Sequence, residues 1–251
     1  METLWFVLRI LAIIVVCYFI GNISFARILA SKKHVDISKE GSGNPGTMNM
    51  VRTVGLSMGI LTFLLEAVKG VVAALIGYFL LGYVDGLFEV GLFIGGFAGV
   101  IGQACPVVYK FKGGKGMGVA VGVFFVANWW IGLIGIAVGI LFICITDYGA
   151  SASLSFLLVA TVSQLVFSWG NITVCCLVFA IWLFIMFLFR ENIVKMILGK
   201  ERKMHFTRRV AKLFNKNIVI EEQAPKAEEP KKEEVEKTEE EKPAEKKTSK
   251  K

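Results

Sequence analysis

Histidine is almost missing from this chain, with His34 and His205 the only two in 251 residues. Neither opens an H-x4-D pair, so chemistry that needs a histidine–aspartate general base lacks its residues. His34 reads as a loop residue and His205 as part of a basic stretch. Cysteine is scarce as well: Cys17, Cys105, Cys144, Cys175 and Cys176 lie in or beside apolar runs without C-x-x-C spacing. Buried, reduced thiols are expected in preference to a metal or disulfide site. No loop offers the carboxylate cluster that would bind Mg²⁺ well. No metal and no cofactor are therefore expected. Charge is also missing from long stretches, being gathered into a few loops and the C-terminal end.

What fills those stretches is apolar. The chain is 55% hydrophobic with 26 glycines, a membrane-protein composition. Apolar runs recur over residues 4–30, 56–82, 87–109, 119–145, 154–169 and 172–189, and a helix needs about 20 such residues to span a bilayer. An all-α, polytopic bundle is expected. The first run is too long for a signal-peptide core and has no convincing small-residue cleavage site, so it reads as a retained span. The chain divides into a transmembrane domain over residues 1–203, a basic juxtamembrane segment over 204–220, and a tail over 221–251. The tail is Glu, Lys, Pro and Ala with almost nothing to bury, which predicts disorder. The basic stretch "GKERKMHFTRR" is the better candidate for touching anionic headgroups. Membrane lipids are expected partners and nucleic acid is not; nothing bears on oligomeric state.

Positive residues in short loops stay cytoplasmic. Here they fall at 32–52, at 110–115 and from Arg190 onward, whereas "GYVDGLFE" and "SWGN" carry no Lys or Arg and read as external. Six spans would leave the third basic region on the wrong face. One run must hold two helices, and residues 118–145 contain "ANWWIG" at their middle, an interfacial turn of the aromatic-belt kind. That gives seven spans with the N-terminus outside. A re-entrant hairpin at Trp129 would give the same sidedness with six full spans. Either way "TDYGASAS" joins the other polar loops and the C-terminus on the cytoplasmic side.

Two of those loops carry chemistry. In "KEGSGNPGTMNMVR", Gly41, Gly43 and Gly46 permit positive φ, which lets successive N–H groups point into one concavity and bind an anion. Ser42 and Asn44 add donors, and a helix starting near Thr47 would aim its dipole at the same place, with Asn49 and Arg52 on its first turns. "KFKGGKGMG" repeats the logic with more charge. It is not a Walker A loop, because Tyr109 and Gly116 stand where that motif needs Gly and Ser or Thr. What remains is Lys112 and Lys115 beside backbone that can approach a small phosphorylated molecule. Either loop alone is explained by the positive-inside rule. The two together, on one face with Ser153 and Asn192, favour a phosphate site.

At this point the chain resembles a known family, the acyl-phosphate:glycerol-3-phosphate acyltransferases (PlsY family). Their motifs run roughly GSGNxGATNxxR, GHxxPxxxxFKGGKGVAT and RHxxNIxRLxxGxE, matched here by "GSGNPGTMNMVR", "GQACPVVYKFKGGKGMGV" and "LFRENIVKMILGKE". "GNISFARILA", "DISKEGSGN" and "LLEAVKG" extend the likeness over residues 21–201. The resemblance implies a seven-helix bundle whose cytoplasmic loops form the site. It also implies acyl transfer from acyl phosphate to the sn-1 hydroxyl of glycerol 3-phosphate, in a bacterial plasma membrane. Carried over, Ser42, Arg52 and Lys115 are the catalytic set, and with Ser153 and Asn192 they hold phosphate. Gly113 and Gly114 shape the glycerol 3-phosphate loop, while Asn44 and Asn49, with Gly41, Gly43 and Lys112, order or line the site.

Departures from the family pattern are specific. Gln103 and Phe189 replace both motif histidines, Leu188 an arginine, Met48 a threonine, Met117 and Gly118 an "AT" pair, and Asp147 a usual arginine, placing negative charge near an anion site. They leave an alternative open: a catalytically weakened homologue that binds phosphate or lipid intermediates and regulates or scaffolds lipid synthesis. A phosphate-compound transporter would want polar residues at mid-membrane depth or an internal repeat of broken helices, and the sequence has neither. Of the remaining charges, Glu66 and Lys69 lie three apart on one helix face and suit a mutual ion pair facing the bundle interior. Arg9 and Arg27 are expected to snorkel to the two interfaces. The glycines of "GGFAG" and "GLIGIAVG" suit close helix packing.

Overall fold

The computed structural model describes residues 1–215, and the expected tail lies outside them. Among the described residues the structure is helical, with a single isolated β-bridge between Tyr148 and Lys203. In chain order the helices are α1 (Glu2–Asn22), α2 (Phe25–Ser31), α3 (Thr47–Thr53), α4 (Leu56–Asp85), α5 (Phe88–Ala104), α6 (Met117–Ala127), α7 (Trp129–Thr146), α8 (Gly149–Phe167), α9 (Ile172–Ile197) and α10 (Phe206–Phe214). Six segments are long and apolar enough to cross a membrane: Glu2–Ser31, Leu56–Asp85, Phe88–Tyr109, Trp129–Thr146, Gly149–Phe167 and Ile172–Ile197.

The run expected to hold two helices does so, breaking at Asn128, whose backbone is extended between α6 and α7 (φ −158°, ψ 94°). The two halves are unequal. Helix α6 has 11 residues, or about 16 Å at 1.5 Å per residue, roughly half of a ~30 Å hydrocarbon core. It can be short because it is enclosed by protein: residues 119–124 are all buried and α6 packs among α4, α5 and α7. A helix shielded from lipid need not match the bilayer's thickness.

Backbones approach closely along α6. A Cβ added at Gly70 would lie 2.0 Å from the Val119 carbonyl oxygen, and one at Gly122 would lie 2.0 Å from that of Ala67. Both positions need glycine, which lets α4 and α6 touch backbone to backbone. Gly95 of "GGFAG" does the same against Ala73. The core beside it is aromatic, with Phe124 edge-on to both Phe93 and Phe156 at 6.2 and 6.4 Å between centroids. Leu11, Val15 and Phe19 of α1 and Ile134 and Leu141 of α7 point outward, as lipid-facing residues must.

The chain reverses at each turn, so the two glycine-rich loops, the α7–α8 turn and the end of α9 gather at one end of the bundle. Contacts between them prove the gathering: Arg27 Nη2 donates to the Lys112 carbonyl (2.8 Å), and Arg52 Nη2 to that of Arg202 (3.0 Å). At the opposite end Arg9 pairs with Asp85 at 2.7 and 3.1 Å. Arg9 was expected to snorkel into an interface; a carboxylate across the α1–α4 contact takes it instead.

Candidate functional site

The first loop is built around one side chain. Asn49, on the first turn of α3, is 1% exposed and spends its whole amide on backbone. Its Oδ1 accepts from the Ser42 N–H (2.9 Å), and its Nδ2 donates to the carbonyls of Glu40 (2.9 Å) and Ile37 (3.1 Å). The Ser42 N–H and the Ile37 carbonyl are thus satisfied from inside, and the Glu40 carbonyl, which also accepts from the Gly43 N–H (2.9 Å), gains a second partner. Gly41 and Gly43 have the expected positive φ, 60° and 69°. Gly46 does not: its φ of −151° and ψ of 173° are extended, because it caps the N-terminus of α3 and does not turn the loop. Ser42 is exposed, and Asn44 is half-buried with no side-chain hydrogen bond among the described residues.

The second loop is held from below by the end of α5. The Gly114 N–H donates to the Gln103 carbonyl (3.0 Å). A Cβ at Gly113 would meet that same oxygen at 2.2 Å and Pro106 Cδ at 2.4 Å, and one at Gly114 would sit 3.0 Å from Gln103 Nε2 and from the Pro45 carbonyl. These glycines are needed for closeness. The left-handed backbone of this loop is carried by Lys110, Phe111 and Gly116, with φ of 54°, 60° and 70°. Non-glycine residues in that region cost about 1–3 kcal/mol each and concentrate at sites the surrounding structure over-determines.

Lys115, at the loop's far side, meets the end of α9. Its ammonium donates to Asn192 Oδ1 and lies over the Phe189 ring, 4.5 Å from the centroid. Asn192 is oriented in turn, because its Nδ2 donates to both Glu201 carboxylate oxygens at 3.1 Å. Glu201 also faces Arg52, 3.8 Å away, and both side chains are largely enclosed, at 6% and 15% exposed. Burial pulls the pKa of Lys115 and of Arg52 below their ordinary values, and the Glu201 carboxylate opposes the shift in each. Arg52 Nε is buried without a partner among the described residues, an unspent donor beside a cationic cluster. Three separate sequence segments therefore converge on one arrangement of Arg52, Lys115, Asn192 and Glu201.

Below this cluster lies a buried polar network. Lys69 and Glu66 form the expected ion pair (2.5 Å, side chains 2% and 4% exposed). Lys69 Nζ also donates to the carbonyls of Ile23 (2.5 Å) and Gly21 (3.1 Å) and to Gln103 Oε1. Glu66 Oε1 accepts from the Phe25 N–H at 3.1 Å. The pair is thus linked to the α1–α2 junction and, through Gln103, to the base of the second loop. A buried pair tied in by this many hydrogen bonds recovers the desolvation cost that an isolated one would not.

Other expected residues fall at the same end without joining the cluster. Ser153, on α8, is half-buried and its hydroxyl has no hydrogen-bond partner among the described residues; the Lys112 side chain is exposed. Arg27 does not snorkel, since its guanidinium sits 4.6 Å over the Tyr109 ring and donates to the second loop. Asp147 is not left facing an anion. Its Oδ1 accepts from the Phe206 N–H at 2.9 Å, its Oδ2 lies 3.6 Å from His205 Nδ1, and its carbonyl accepts from Met204 N–H at 2.8 Å. The residue that sequence reading did not single out is Glu201, although it closes the third quoted motif.

Together these features define a class: a helical membrane bundle with a partly enclosed cationic site at one end, ordered by its own carboxylate. A family model described as glycerol-3-phosphate acyltransferase matches residues 11–199, and the chain belongs to that family. The glycerol-3-phosphate acyltransferase of Thermoanaerobacter pseudethanolicus is 33% identical over 191 residues, covering 76% of this chain and 93% of the relative. That of Aquifex aeolicus is 32% identical over 199 residues, covering 78% and 100%. Among solved structures, PlsY, an integral membrane glycerol 3-phosphate acyltransferase, matches in its glycerol 3-phosphate form with a TM-score of 0.69 at 30% identity, over 77% of this chain and 94% of PlsY. Its lysophosphatidic acid form gives 0.67. The fold and this likeness make the chain a multi-pass membrane protein.

Proposed function

We propose that this protein acylates glycerol 3-phosphate at its sn-1 hydroxyl, using acyl phosphate as donor and releasing lysophosphatidate and inorganic phosphate. The observation that carries the proposal is the convergence of Arg52, Lys115 and Asn192 around Glu201, beside two loops of the kind that wrap phosphate. The reaction runs at the cytoplasmic face of a bacterial plasma membrane, with the N-terminus outside and the motif loops and C-terminus inside.

An acyl phosphate is a mixed anhydride, so its phosphate is already a good leaving group. The hydroxyl oxygen attacks the acyl carbon, the bond from that carbon to the phosphate oxygen breaks, and the hydroxyl proton passes to a substrate phosphate oxygen. No covalent intermediate with the protein is needed; positioning and charge stabilisation supply the rate. Lys115 and Arg52 hold phosphate negative charge, with Ser42, Ser153, Asn192 and the loop N–H groups as further donors. Asn44, Asn49, Gly41, Gly43, Gly113, Gly114 and Lys112 shape the two loops.

The missing motif histidines do not leave holes. Gln103 is built into the Lys69 network and Phe189 lies beneath the Lys115 ammonium, a contact worth about 0.5–2 kcal/mol. The test is acyl transfer from palmitoyl phosphate to radiolabelled glycerol 3-phosphate by the purified protein in detergent, with Arg52→Ala and Lys115→Ala as controls. Lysophosphatidate that disappears in both variants supports the enzyme. Glycerol 3-phosphate binding without product would assign the chain to the non-catalytic, regulatory alternative.

A further inference from the structure

The family match stops at residue 199, but the chain continues across the site. Beyond Glu201 it runs back over the first loop: Arg202 Nη1 donates to the Gly41 carbonyl (2.8 Å), while the Arg202 carbonyl accepts from Arg52 (3.0 Å). Lys203 bridges to Tyr148, and Met204 is fully buried in a small core with Val51, Leu56 and Ile143. Arg209 then donates to the Val51 carbonyl at 3.0 Å, and Phe206 and Val210 pack on the same core. Most of these contacts go to backbone or to buried apolar atoms, and through the Arg202 carbonyl the segment also holds the Arg52 guanidinium, so it clamps both the loop and one of the site's cations in place.

Helix α10 has a second face. Arg208 and Lys212, one turn apart, are exposed and neither has a carboxylate partner among the described residues; Phe214, on the same side as Phe206 and Val210, lies past the core at the helix end and is 88% exposed. The helix follows the membrane-length α9 after eight residues, 198–205. It therefore stands near the bilayer surface, at the end where the positive loops gather. An amphipathic helix with unpaired cations and an exposed aromatic beside a membrane is complementary to anionic headgroups.

We propose that residues 200–214 form a strap that couples the negative charge of the membrane surface to the site, with anionic phospholipid headgroups as its ligand. Headgroups bound at Arg208 and Lys212 hold α10 down. Arg202 and Arg209 transmit that hold to Gly41 and Val51, and thereby fix the loop that carries Ser42 and Arg52. This rests on the proposed acyl transfer only for its kinetic readout. The conformational readout is independent.

The test uses the full chain in nanodiscs of phosphatidylcholine alone and of phosphatidylcholine enriched in phosphatidylglycerol. The glycerol 3-phosphate KM is expected to be about fivefold lower in the anionic discs, the change that about 1 kcal/mol of surface attraction gives. Slower amide exchange is expected there over both 206–214 and 41–52. Arg208→Gln combined with Lys212→Gln should abolish both lipid effects while leaving the neutral-disc KM unchanged. Arg202→Ala should raise KM in both discs yet keep α10 protection sensitive to lipid charge. Lipid-dependent exchange without any acyl transfer would keep the strap and overturn the enzymatic reading. Equal exchange and equal KM in the two discs, or a lipid effect that survives the double variant, would overturn the strap.

Discussion

The two glycine-rich loops look alike in sequence and are built on opposite principles. In the first, glycine is needed for torsion: Gly41 and Gly43 take left-handed backbone, and a buried Asn49 holds the result from within. In the second, the central glycines are needed for proximity: Gly113 and Gly114 lie against the Gln103 carbonyl and Pro45, while Lys110, Phe111 and, at the loop's end, Gly116 carry the left-handed angles. The first loop is organised by one amide and an overlying strap. The second is organised by the helix end beneath it and, through Gln103, by the Lys69 network. A Gly-to-Ala change therefore tests different physics in each.

The largest effect is expected at Gly113→Ala. Its methyl group would have to displace main-chain oxygens of α5 at 2.2 and 2.5 Å, and a shift of even 1 Å at a reacting centre costs roughly a hundredfold in rate. Acyl-transfer assays should show a loss of that order with the protein still folded by thermal melting. Asn49→Ala comes next. It strips the partner from the Ser42 N–H and the Ile37 carbonyl, at about 1 kcal/mol or more each, and leaves the Glu40 carbonyl with the Gly43 N–H alone; it should lower the melting temperature as well as raise KM. Asn49→Asp keeps the acceptor for Ser42 but loses both donations, and should fall between.

Gly41→Ala should cost about 1–2 kcal/mol for the left-handed angle, plus a contact with Asn49 Oδ1 at 2.2 Å. Its signature is a raised KM. Equal effects on kcat at Gly41 and Gly113 would erase the distinction between the loops.

The smallest effect concerns pH. Burial holds the Lys115 ammonium below lysine's ordinary value, so it loses its proton, and the site its charge, at a lower pH than a free lysine would. The alkaline limb of glycerol 3-phosphate binding should report this. Glu201 raises that pKa, so Glu201→Gln should move the limb to still lower pH. A limb that moves upward would show that Glu201 is not the counter-ion of Lys115.

Much of this architecture was legible beforehand. Apolar run length gave the spans, the "ANWW" interruption gave the α6–α7 break, and the Glu66–Lys69 spacing gave the buried pair. What misled was reasoning about charges one at a time. Arg9 and Arg27 were read against lipid and water, but Asp85 lies 76 residues from Arg9 in sequence, and the Tyr109 ring and Lys112 carbonyl that take Arg27 come from another loop. Asp147 was read as a disturbance of the site and instead caps α10. Glu201 went unremarked because one acid among the basic residues 200–203 has no periodicity to mark it.

The sequence by itself determined which segments are apolar and long enough to enter the membrane and which loops carry the cations. Those properties depend on local composition and on the cost of burying charge in hydrocarbon, which each segment carries alone. Only the tertiary structure decided that α6 could be short, that two similar loops are supported differently, and that a carboxylate from residue 201 sits between Arg52 and Asn192. Each of these depends on which distant groups meet in a space that excludes water, where a single partner decides whether a charge is affordable.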